Sequence, residues 1–385
     1  MTNQKTQSLI FLALILAGIL SIINIYVVSG RFGEVQEAQA LAKELMRPAD
    51  LEVIRLVASD CKDCYPLENV LSKLEGMNTN VKDERTISFD SPEGKSLVNQ
   101  YDITKLPVLI VSGEINKTEQ LHTFFTTNGF VDDGHAVYTN IMPPYYDAAS
   151  NSVVGRVALI YLEDASCKEC SSLKQMDAVL KQAGVGIGSV ETYDYTSPTA
   201  QQLISTYGVA KIPALLISKD IEAYPNLQQQ LIQADISLKN DYYVMPAQLA
   251  PYHDLQKDTI VGMATLIMLK DDSCTECYDV TVNKAILSRL GIIINNQETY
   301  DLATTSAKAL LDKYKITKVP VILISPDAQY YPSFTAVWNS VGSTESDGWY
   351  VMRKPELLGA YKDLTTNEVV KPQKQPPEQS ASNGE

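Results

Sequence analysis

The six cysteines of this 385-residue chain all fall into pairs whose two members are separated by two residues. The three pairs are Cys61/Cys64, Cys167/Cys170 and Cys274/Cys277. A thiolate can attack a disulfide, and a second thiol three residues away can then release the mixed disulfide that forms. The pairs therefore indicate thiol–disulfide exchange, although a single pair of this kind is a weak signal.

Two other uses of the cysteine pairs remain open from the sequence. Permanent disulfides are one, although closing a loop of about four residues stabilises by only roughly 2 kcal/mol, against about 3 kcal/mol for fifteen residues. Metal binding is the other, but zinc commonly takes four ligands, and His122, His135 and His253 all lie far from the pairs in sequence. Two thiolates alone suit a soft metal such as copper(I), held transiently.

Each cysteine pair belongs to a repeated unit. The first cysteines of successive pairs are 106 and 107 residues apart, and a fixed period marks a repeated domain. A proline stands 46 residues after the first cysteine of each pair, at Pro107, Pro213 and Pro320. An apolar run typical of a buried strand follows each proline. A cysteine pair and a proline that recur in phase three times are strong support for one common fold.

The residues around each pair predict a strand followed by a helix. An apolar run typical of a buried strand precedes each pair, for example Leu51–Val57 in the first unit. Short polar residues then lead to the first cysteine, and because Asp and Ser are good N-caps, we expect a helix to begin there. The positive end of the helix dipole would favour the thiolate. We expect the helices to end at Gly76, Gly184 and Gly291.

The end of each unit carries lysine and tyrosine in repeated positions. Lys105, Lys211 and Lys318 come two residues before the prolines, where a lysine can attract an acidic substrate or lie in solvent at a helix end. Tyrosine doublets follow, which can form a binding surface or pack against a strand. They are Tyr145-Tyr146, Tyr242-Tyr243 and Tyr330-Tyr331. We also expect a helical stretch around Tyr146-Asp147, His253-Asp254 and Lys362-Asp363.

The order of strand, cysteine pair, helix, strand, helix, X-Pro and strand resembles the thioredoxin superfamily. The resemblance covers about 320 of the 385 residues. It implies an α/β fold of three tandem thioredoxin-like domains, each with a central mixed sheet flanked by helices. It also implies an exchange chemistry that needs no bound cofactor and no metal.

The resemblance assigns a role to each matching residue. Cys61, Cys167 and Cys274 would be the exposed attacking thiols. Cys64, Cys170 and Cys277 would be the resolving thiols. Pro107, Pro213 and Pro320 would be cis and face the pairs across the site. The residues before them, Leu106, Ile212 and Val319, would offer backbone hydrogen bonds to a substrate strand.

The sequence departs from the familiar enzymes of this superfamily in three ways, which put strong exchange activity in doubt. No aromatic residue precedes the first cysteine, where Asp60, Ser166 and Ser273 stand instead. The inner dipeptides are Lys62-Asp63, Lys168-Glu169 and Thr275-Glu276. No obvious counterpart of a buried acid that accepts a proton is recognisable.

The inner dipeptides predict unequal thiols. A carboxylate beside the thiols disfavours a second negative charge, and a neighbouring lysine partly offsets it. The third pair has Glu276 and no lysine in its dipeptide. We therefore expect Cys274 to have the highest thiol pKa of the three leading cysteines.

The repeats predict six segments along the chain. They are a cytoplasmic tip and anchor at 1–30, a linker or helix at 31–49, thioredoxin-like domains at 50–155, 156–262 and 263–370, and a disordered tail at 371–385. The tail is predicted from its richness in Pro, Gln and Ser.

The N-terminal region predicts an uncleaved membrane anchor. Leu9–Val28 is 20 residues without a charge, and a helix of that length spans roughly the 30 Å of a bilayer core. The run Ala38–Gln39–Ala40 can imitate a signal-peptidase site, but the apolar core of a cleaved signal is shorter, at about 7–15 residues. Only Lys5 precedes the span, whereas Arg31, Lys43 and Arg47 follow it, so the positive-inside rule taken literally opposes an exported body. That rule weakens when a large folded domain follows the span. We place the large body outside the cytoplasm.

These features together predict a single-pass, extracytoplasmic thiol–disulfide oxidoreductase. Its partners would be cysteine-containing exported proteins or a membrane redox partner that resets the pairs. The net charge of −14 argues against nucleic acid as a partner. The alternatives are a non-catalytic thioredoxin-like scaffold with static disulfides, and a soft-metal chaperone.

Overall fold

The computed structural model describes residues 3–371, except for the side chains of residues 3–8, 10–13, 28 and 30–34. The chain divides between Arg156 and Val157 into two compact units. The first unit holds one repeat and the second unit holds two. Residues 372–385 of the predicted tail lie outside the described residues.

A long helix, α1 (Asn3–Met46), precedes the repeats and contains the segment for which the sequence predicts an anchor. Residues 10–13 and 28 of that segment lie outside the described side chains. Where side chains are described, no helix is both long enough and apolar enough to cross a membrane.

The first repeat places a five-stranded sheet and a separate three-stranded sheet around the first cysteine pair. Its elements are β1 (Ala49–Val57), α2 (Glu68–Glu75), β2 (Thr79–Ser88), α3 (Pro92–Gln100), β3 (Lys105–Leu106), β4 (Val108–Gly113), α4 (Glu119–Asn128), β5 (Gly129–Asp132), β6 (His135–Tyr138), β7 (Tyr145–Asp147) and β8 (Ser152–Val154). The larger sheet has the order β2-β1-β4-β6-β5, with β1 parallel to β2 and antiparallel to β4.

The second repeat has the same sequence of elements, with one short 3-10 helix added after the strand that follows Pro213. Its elements are β9 (Arg156–Glu163), α5 (Met176–Gln182), β10 (Gly186–Asp194), α6 (Pro198–Tyr207), β11 (Lys211–Ile212), β12 (Ala214–Ser218), the 3-10 helix Lys219–Ala223, α7 (Pro225–Gln233), β13 (Leu238–Lys239), β14 (Tyr242–Pro246), β15 (Tyr252–Asp254) and β16 (Thr259–Val261). Its sheet order is β10-β9-β12-β14-β13.

The third repeat follows the same plan with two 3-10 helices. Its elements are β17 (Ala264–Lys270), α8 (Val282–Arg289), β18 (Ile294–Asp301), α9 (Thr305–Tyr314), β19 (Lys318–Val319), β20 (Val321–Ile324), the 3-10 helix Pro326–Tyr330, α10 (Pro332–Trp338), β21 (Gly342–Thr344), β22 (Tyr350–Met352), the 3-10 helix Pro355–Leu357, β23 (Tyr361–Asp363) and β24 (Glu368–Val370). Its sheet order is β18-β17-β20-β22-β21.

The mixed α/β architecture of the repeats is consistent with three tandem thioredoxin-like domains. In each repeat the strand before the cysteines lies at the second position of the sheet and the strand after the repeated proline lies beside it. The strand after the proline is buried over at least its first four residues in every repeat, as its apolar sequence predicts, whereas β1 carries charged residues and exposes Glu52. The two strands are antiparallel, so the end of the first and the start of the second lie at the same end of the sheet. The cysteine loop and the proline therefore come together although 46 residues separate the first cysteine from the proline.

The helix before each proline begins at a hydroxyl cap. Ser91, Ser197 and Thr304 accept hydrogen bonds from the backbone N–H groups three residues later. Of the glycines predicted to end the preceding helices, Gly184 and Gly291 have positive φ of 84° and 79°. Gly76 instead keeps a right-handed φ of −69°.

The expected helical stretch at the end of each repeat is wrong, because those residues form β-hairpins. Tyr146, His253 and Lys362 lie on strands that pair with the residue before the repeated proline. An aspartate ends each of these strands, for example Asp147, whose carboxylate accepts from the backbone N–H groups of Ala149 and Ser150 at 3.0 and 2.7 Å. Such a bond closes a turn and competes with a helix.

Candidate functional site

The three cysteine pairs are all disulfide-bonded in this structure. The Cα–Cα distances within the pairs are 5.3, 5.4 and 5.5 Å from the first repeat to the third. Cys167 is 8% exposed and therefore buried, whereas Cys61 and Cys274 are half-buried. The leading cysteines are thus less alike than their common spacing predicts.

The prediction that a helix begins at each first cysteine is wrong. The cysteines lie in turns, and the following helices begin only at Glu68, Met176 and Val282. The expected caps have other partners, because the Ser166 and Ser273 hydroxyls each donate to an aspartate carboxylate at 2.6 Å. The thiols therefore lie before the helix N-termini, where the stabilisation of a thiolate by the helix dipole falls off.

The prediction of cis prolines is confirmed at all three positions. The peptide bonds before Pro107, Pro213 and Pro320 are cis. Pro107 lines a cavity of about 210 Å³ with Cys61 and Cys64. Pro213 lines a cavity of about 240 Å³ with Cys167 and Cys170. Each of the first two repeats therefore has its own solvent-open cavity, which is lined by both its disulfide and its cis proline.

The residues before the cis prolines are buried. Leu106, Ile212 and Val319 have no exposed surface, and each pairs with the hairpin that closes its repeat. Their backbone role in holding a substrate strand stays a prediction.

A buried acid, which the sequence pattern did not reveal, lies beside the second disulfide. Asp164 stands three residues before Cys167, and its carboxylate lies 2.8 Å from Nδ1 of His253. The exposed fractions of the two side chains are 1% and 7%. Burial acts to raise the pKa of Asp164, but hydrogen bonds from Ser166 and His253 outweigh it and the pKa is lowered.

His253 is enclosed by neighbouring side chains. Its ring packs edge-on against Tyr195 at a centroid distance of 4.7 Å. Its Nε2 is buried and, within residues 3–371, has no hydrogen-bond partner, although Oδ1 of Asp258 lies at 3.6 Å. The strand β15 thus places the imidazole of His253 beside Ile212, the residue before the cis proline.

The third repeat has a lysine where the second has this histidine. Asp271 stands three residues before Cys274 and accepts a 2.6 Å hydrogen bond from Lys362. Burial acts to raise the pKa of Asp271, but the hydrogen bonds from Lys362 and Ser273 lower it overall. The first repeat has Ala58 and Tyr146 at these positions. One signal in the sequence could have revealed these acids. An aspartate stands three residues before the first cysteine in two repeats out of three.

Ion pairs lie around the first and third disulfides. Arg156 pairs with Asp63 of the first inner dipeptide. Lys371 pairs with Glu276 of the third inner dipeptide. The third dipeptide has no lysine of its own, but Glu276 gains one from a residue 95 positions later in the chain.

The recurring lysines and tyrosines mainly pack against one another. Lys105, Lys211 and Lys318 lie over the rings of Tyr145, Tyr252 and Tyr361 at 4.6, 4.6 and 5.0 Å from the centroids. The second tyrosine of each doublet, at Tyr146, Tyr243 and Tyr331, is buried. These residues brace the hairpin and the core, which agrees with packing rather than with a tyrosine-lined binding surface.

Comparison with known proteins gives similarities to solved structures only. No protein-family model matches the chain, and no curated protein sequence matches it. Among solved structures, the chain is similar to the alkylhydroperoxide reductase AhpF from Enterococcus faecalis, at 19% identity and a TM-score of 0.15 over 44% of this chain and 81% of that one.

Two further structures overlap a larger share of the chain. ERdj5 is 13% identical with a TM-score of 0.14, over 77% of this chain and 38% of that one. Human ERp44 is 12% identical with a TM-score of 0.13, over 73% of this chain and 75% of that one. At these TM-scores the overlaps assign neither a fold nor a function.

Proposed function

We propose that this chain is a membrane-anchored thiol–disulfide oxidoreductase whose three domains lie outside the cytoplasm. One observation carries the proposal. In each of the first two repeats, the disulfide and the cis proline line the same cavity. A solvent-open cavity beside a disulfide admits the sulfur of another protein, whereas a purely structural disulfide has no need of access. The substrates are cysteine-containing exported proteins, or a membrane redox partner that resets the pairs.

The exchange follows from the arrangement of the two sulfurs. A substrate thiolate attacks the sulfur of Cys61, the Cys61–Cys64 bond breaks, and Cys64 leaves as a thiolate that takes up a proton. A second substrate thiolate then attacks the mixed disulfide. The substrate leaves with a new disulfide, and the pair has gained two electrons and two protons. The reverse sequence reduces a substrate disulfide.

The anchor belongs to this proposal and is supported by the uncharged run Leu9–Val28. Asn24, its only strongly polar residue, donates its side-chain N–H to the carbonyl of Leu20 at 3.2 Å. This bond leaves less polar surface to be buried in lipid. A tether would hold the domains near clients as they emerge from the membrane, and linked sites raise the effective concentration for a client with several cysteines.

A non-catalytic scaffold is the second candidate, and one observation favours it. Each first cysteine lies in a turn seven to nine residues before the helix that was expected to activate it. Without that dipole the thiolate is less stabilised and the disulfide is harder to reduce. In this case the pairs would stay oxidised and the domains would serve as a binding platform.

Trapping of mixed disulfides separates the two candidates. The full chain in detergent carries Cys64→Ser, Cys170→Ser and Cys277→Ser, and is incubated with a secreted test protein whose disulfides have been scrambled. We expect mixed-disulfide adducts to accumulate, because the resolving thiols that would release them are missing. A reductant should cleave these adducts. A matched variant with Cys61→Ser, Cys167→Ser and Cys274→Ser is expected to give far fewer. No adducts with the first variant would support the scaffold.

A further inference from the structure

The residue after the second cysteine differs in the middle repeat. Tyr65, Ser171 and Tyr278 occupy this position. The backbone is the same in all three, since each N–H donates to the carbonyl of a residue just before the closing hairpin, at 2.9, 3.2 and 2.8 Å. Only the side chain changes, so the space that a tyrosine fills elsewhere has a serine in it here.

Tyr278 shows what that space holds in the third repeat. Its hydroxyl donates to the carbonyl of the cis proline Pro320 at 3.0 Å and approaches the sulfur of Met352 at 3.8 Å. Its Cβ lies so close to Gly359 that a Cβ there would be 2.8 Å away. Burial raises the pKa of Tyr278 to about 12. The ring is therefore held against the cis-proline segment of its own repeat.

In the middle repeat the small side chain lies between two cavities. Ser171 lines the cavity of the Cys167–Cys170 disulfide and also lines a second cavity of about 410 Å³. The second cavity has Leu249 and the cis proline Pro251 on one side. Its other side is formed by the third repeat, including Tyr330 and Pro332. The cavity of the disulfide thus has beside it, across Ser171, a cleft between two repeats of the same compact unit.

The walls of this cleft are fixed to each other. The Tyr331 hydroxyl donates to the carbonyl of Gly262 at 2.6 Å in a buried contact. The backbone N–H of Gly262 donates to Asp327 at 3.1 Å. Lys257 donates to the Tyr330 hydroxyl at 2.8 Å. The second and third repeats therefore hold the cleft open as a preformed feature, which lowers the cost of binding.

The surface of the cleft indicates what it binds. Leu249 is 65% exposed at its wall and offers an apolar surface to a bound segment. Glu169 and Arg289 are exposed at its rim, and among the described residues neither forms an ion pair. An extended peptide fits this surface, with an apolar side chain against Leu249 and its polar backbone and charged ends at the rim.

We infer that this Ser171 cleft binds an extended, apolar segment that flanks the cysteine of a client, and so gives the middle disulfide a sequence preference. The inference rests on the proposed exchange function. The attacking Cys167 thiolate forms a bond to the client sulfur and expels the client's other sulfur as a thiolate. While that bond lasts, the residues beside the client cysteine lie within reach of the cleft.

The test uses the full chain in detergent with Cys167 as its only cysteine. Two peptides carry one cysteine each, joined in a disulfide to thionitrobenzoate, and differ only in having leucine or glycine on both sides of it. Attack by Cys167 forms the peptide adduct and releases coloured thionitrobenzoate. We expect the leucine peptide to react about tenfold faster, since burying one leucine side chain is worth at least that factor. The ratio of the two rates cancels changes in the thiol itself.

Two variants locate the preference. Ser171→Tyr places a ring between the two cavities and Leu249→Ser removes the exposed apolar wall, and each is expected to bring the ratio near one. Ser205→Tyr places the same ring on the exposed face of α6 and leaves the ratio unchanged.

The outcomes separate the inference from the proposed function. Equal rates for both peptides overturn the cleft while leaving exchange intact. Release from neither peptide overturns exchange itself. A preference that emerges only after residues 372–385 are removed would overturn a client as the occupant, because the chain's own tail would then compete for the cleft.

Discussion

At the scale of residues, the three disulfides differ most in what stands three residues before the first cysteine. The second repeat has a buried aspartate with a histidine, the third has an aspartate with a lysine, and the first has Ala58. The carboxylate thus faces an imidazole in the second repeat and a lysine in the third, and is absent from the first. The three sites are therefore chemically distinct, even though the cysteine spacing is identical.

The buried pair in the second repeat should stabilise the fold in a pH-dependent way. Asp164→Asn is expected to lower the free energy of unfolding by about 1–3 kcal/mol at pH 7, because it leaves His253 without its charged acceptor. The pKa of Asp164 is lowered below its ordinary 3.8 in the folded chain, so its ionised form favours folding above that pH. The contribution is lost as the pH falls through the lowered pKa.

Urea unfolding of the wild type and the variant at pH 7 and at pH 3 measures this effect. The difference between them should shrink at pH 3. Asp258→Asn is the matched control, since that carboxylate is 92% exposed on the other side of the same ring. An Asp164→Asn variant as stable as the wild type at pH 7 would show that the pair contributes nothing.

The structure also changes which thiol is expected to be least reactive. The sequence favours Cys274, but Lys371 and Lys362 offset the acids around it. Cys167 is the buried one of the three, and it shares its cavity with Asp164. Both burial and a nearby carboxylate disfavour a thiolate.

We therefore expect Cys167 to alkylate several-fold more slowly than Cys61 and Cys274 in the fully reduced chain at pH 7. Mass spectrometry of peptides after timed alkylation measures all three rates in one sample. The slowest rate at Cys274 would instead support the expectation from the inner dipeptides.

At the scale of elements, the sequence predicts the strands and the helix before each proline well. Their apolar runs act locally, so spacing alone reveals them. It fails at the first helix, because Ser166 and Ser273 look like caps but bond to acids instead. The prediction from sequence fails again at the closing hairpins. A helix is predicted around their aspartates, but a carboxylate such as that of Asp147 closes a turn.

The site residues divide in the same way. The cysteines and prolines are recognisable from type and spacing, and the cis bonds agree with that interpretation. The Asp164–His253 pair joins residues 89 positions apart, and the Lys371–Glu276 pair joins residues 95 apart. No periodicity along the chain connects such partners, since only the folded sheet brings them together.

The turn of the first closing hairpin can be tested directly. Asp147→Ala removes the acceptor for the Ala149 and Ser150 amides and should destabilise the β7–β8 hairpin by about 1 kcal/mol. Asp147→Asn keeps an acceptor oxygen and serves as the control. Hydrogen exchange at those two amides should speed up several-fold in the alanine variant and little in the asparagine variant. Equal exchange in all three proteins would contradict the role of the carboxylate.

At the scale of the whole molecule, the sequence predicts three domains of equal standing, and the structure groups the last two in one compact unit. Aromatic residues of the third repeat account for the grouping. Tyr252 of the second repeat packs edge-on against Tyr330, with ring centroids 6.1 Å apart. The buried Tyr331 hydroxyl bonds to Gly262 and accepts from the backbone N–H of Ile293 at 3.2 Å.

Removing that hydroxyl should loosen the second repeat from the third. Tyr331→Phe takes this partner from a buried carbonyl at Gly262 and a part-buried N–H at Ile293, and is expected to cost about 1–3 kcal/mol. Tyr330→Phe removes a hydroxyl whose contact is exposed, and should have a smaller effect. Calorimetry of the full chain should show the transition of this unit broaden or split only in the first variant. Identical traces for both variants would mean that the Tyr331 bond does not couple the repeats.

The central claim is that the three disulfides cycle, and their reduction potentials test it most directly. The full chain in detergent is equilibrated in a series of glutathione or dithiothreitol redox buffers, and each pair is quantified after alkylation. We expect potentials between roughly −120 and −270 mV, the range of working exchange proteins. Potentials below about −300 mV at all three pairs would mark static disulfides and would contradict the claim.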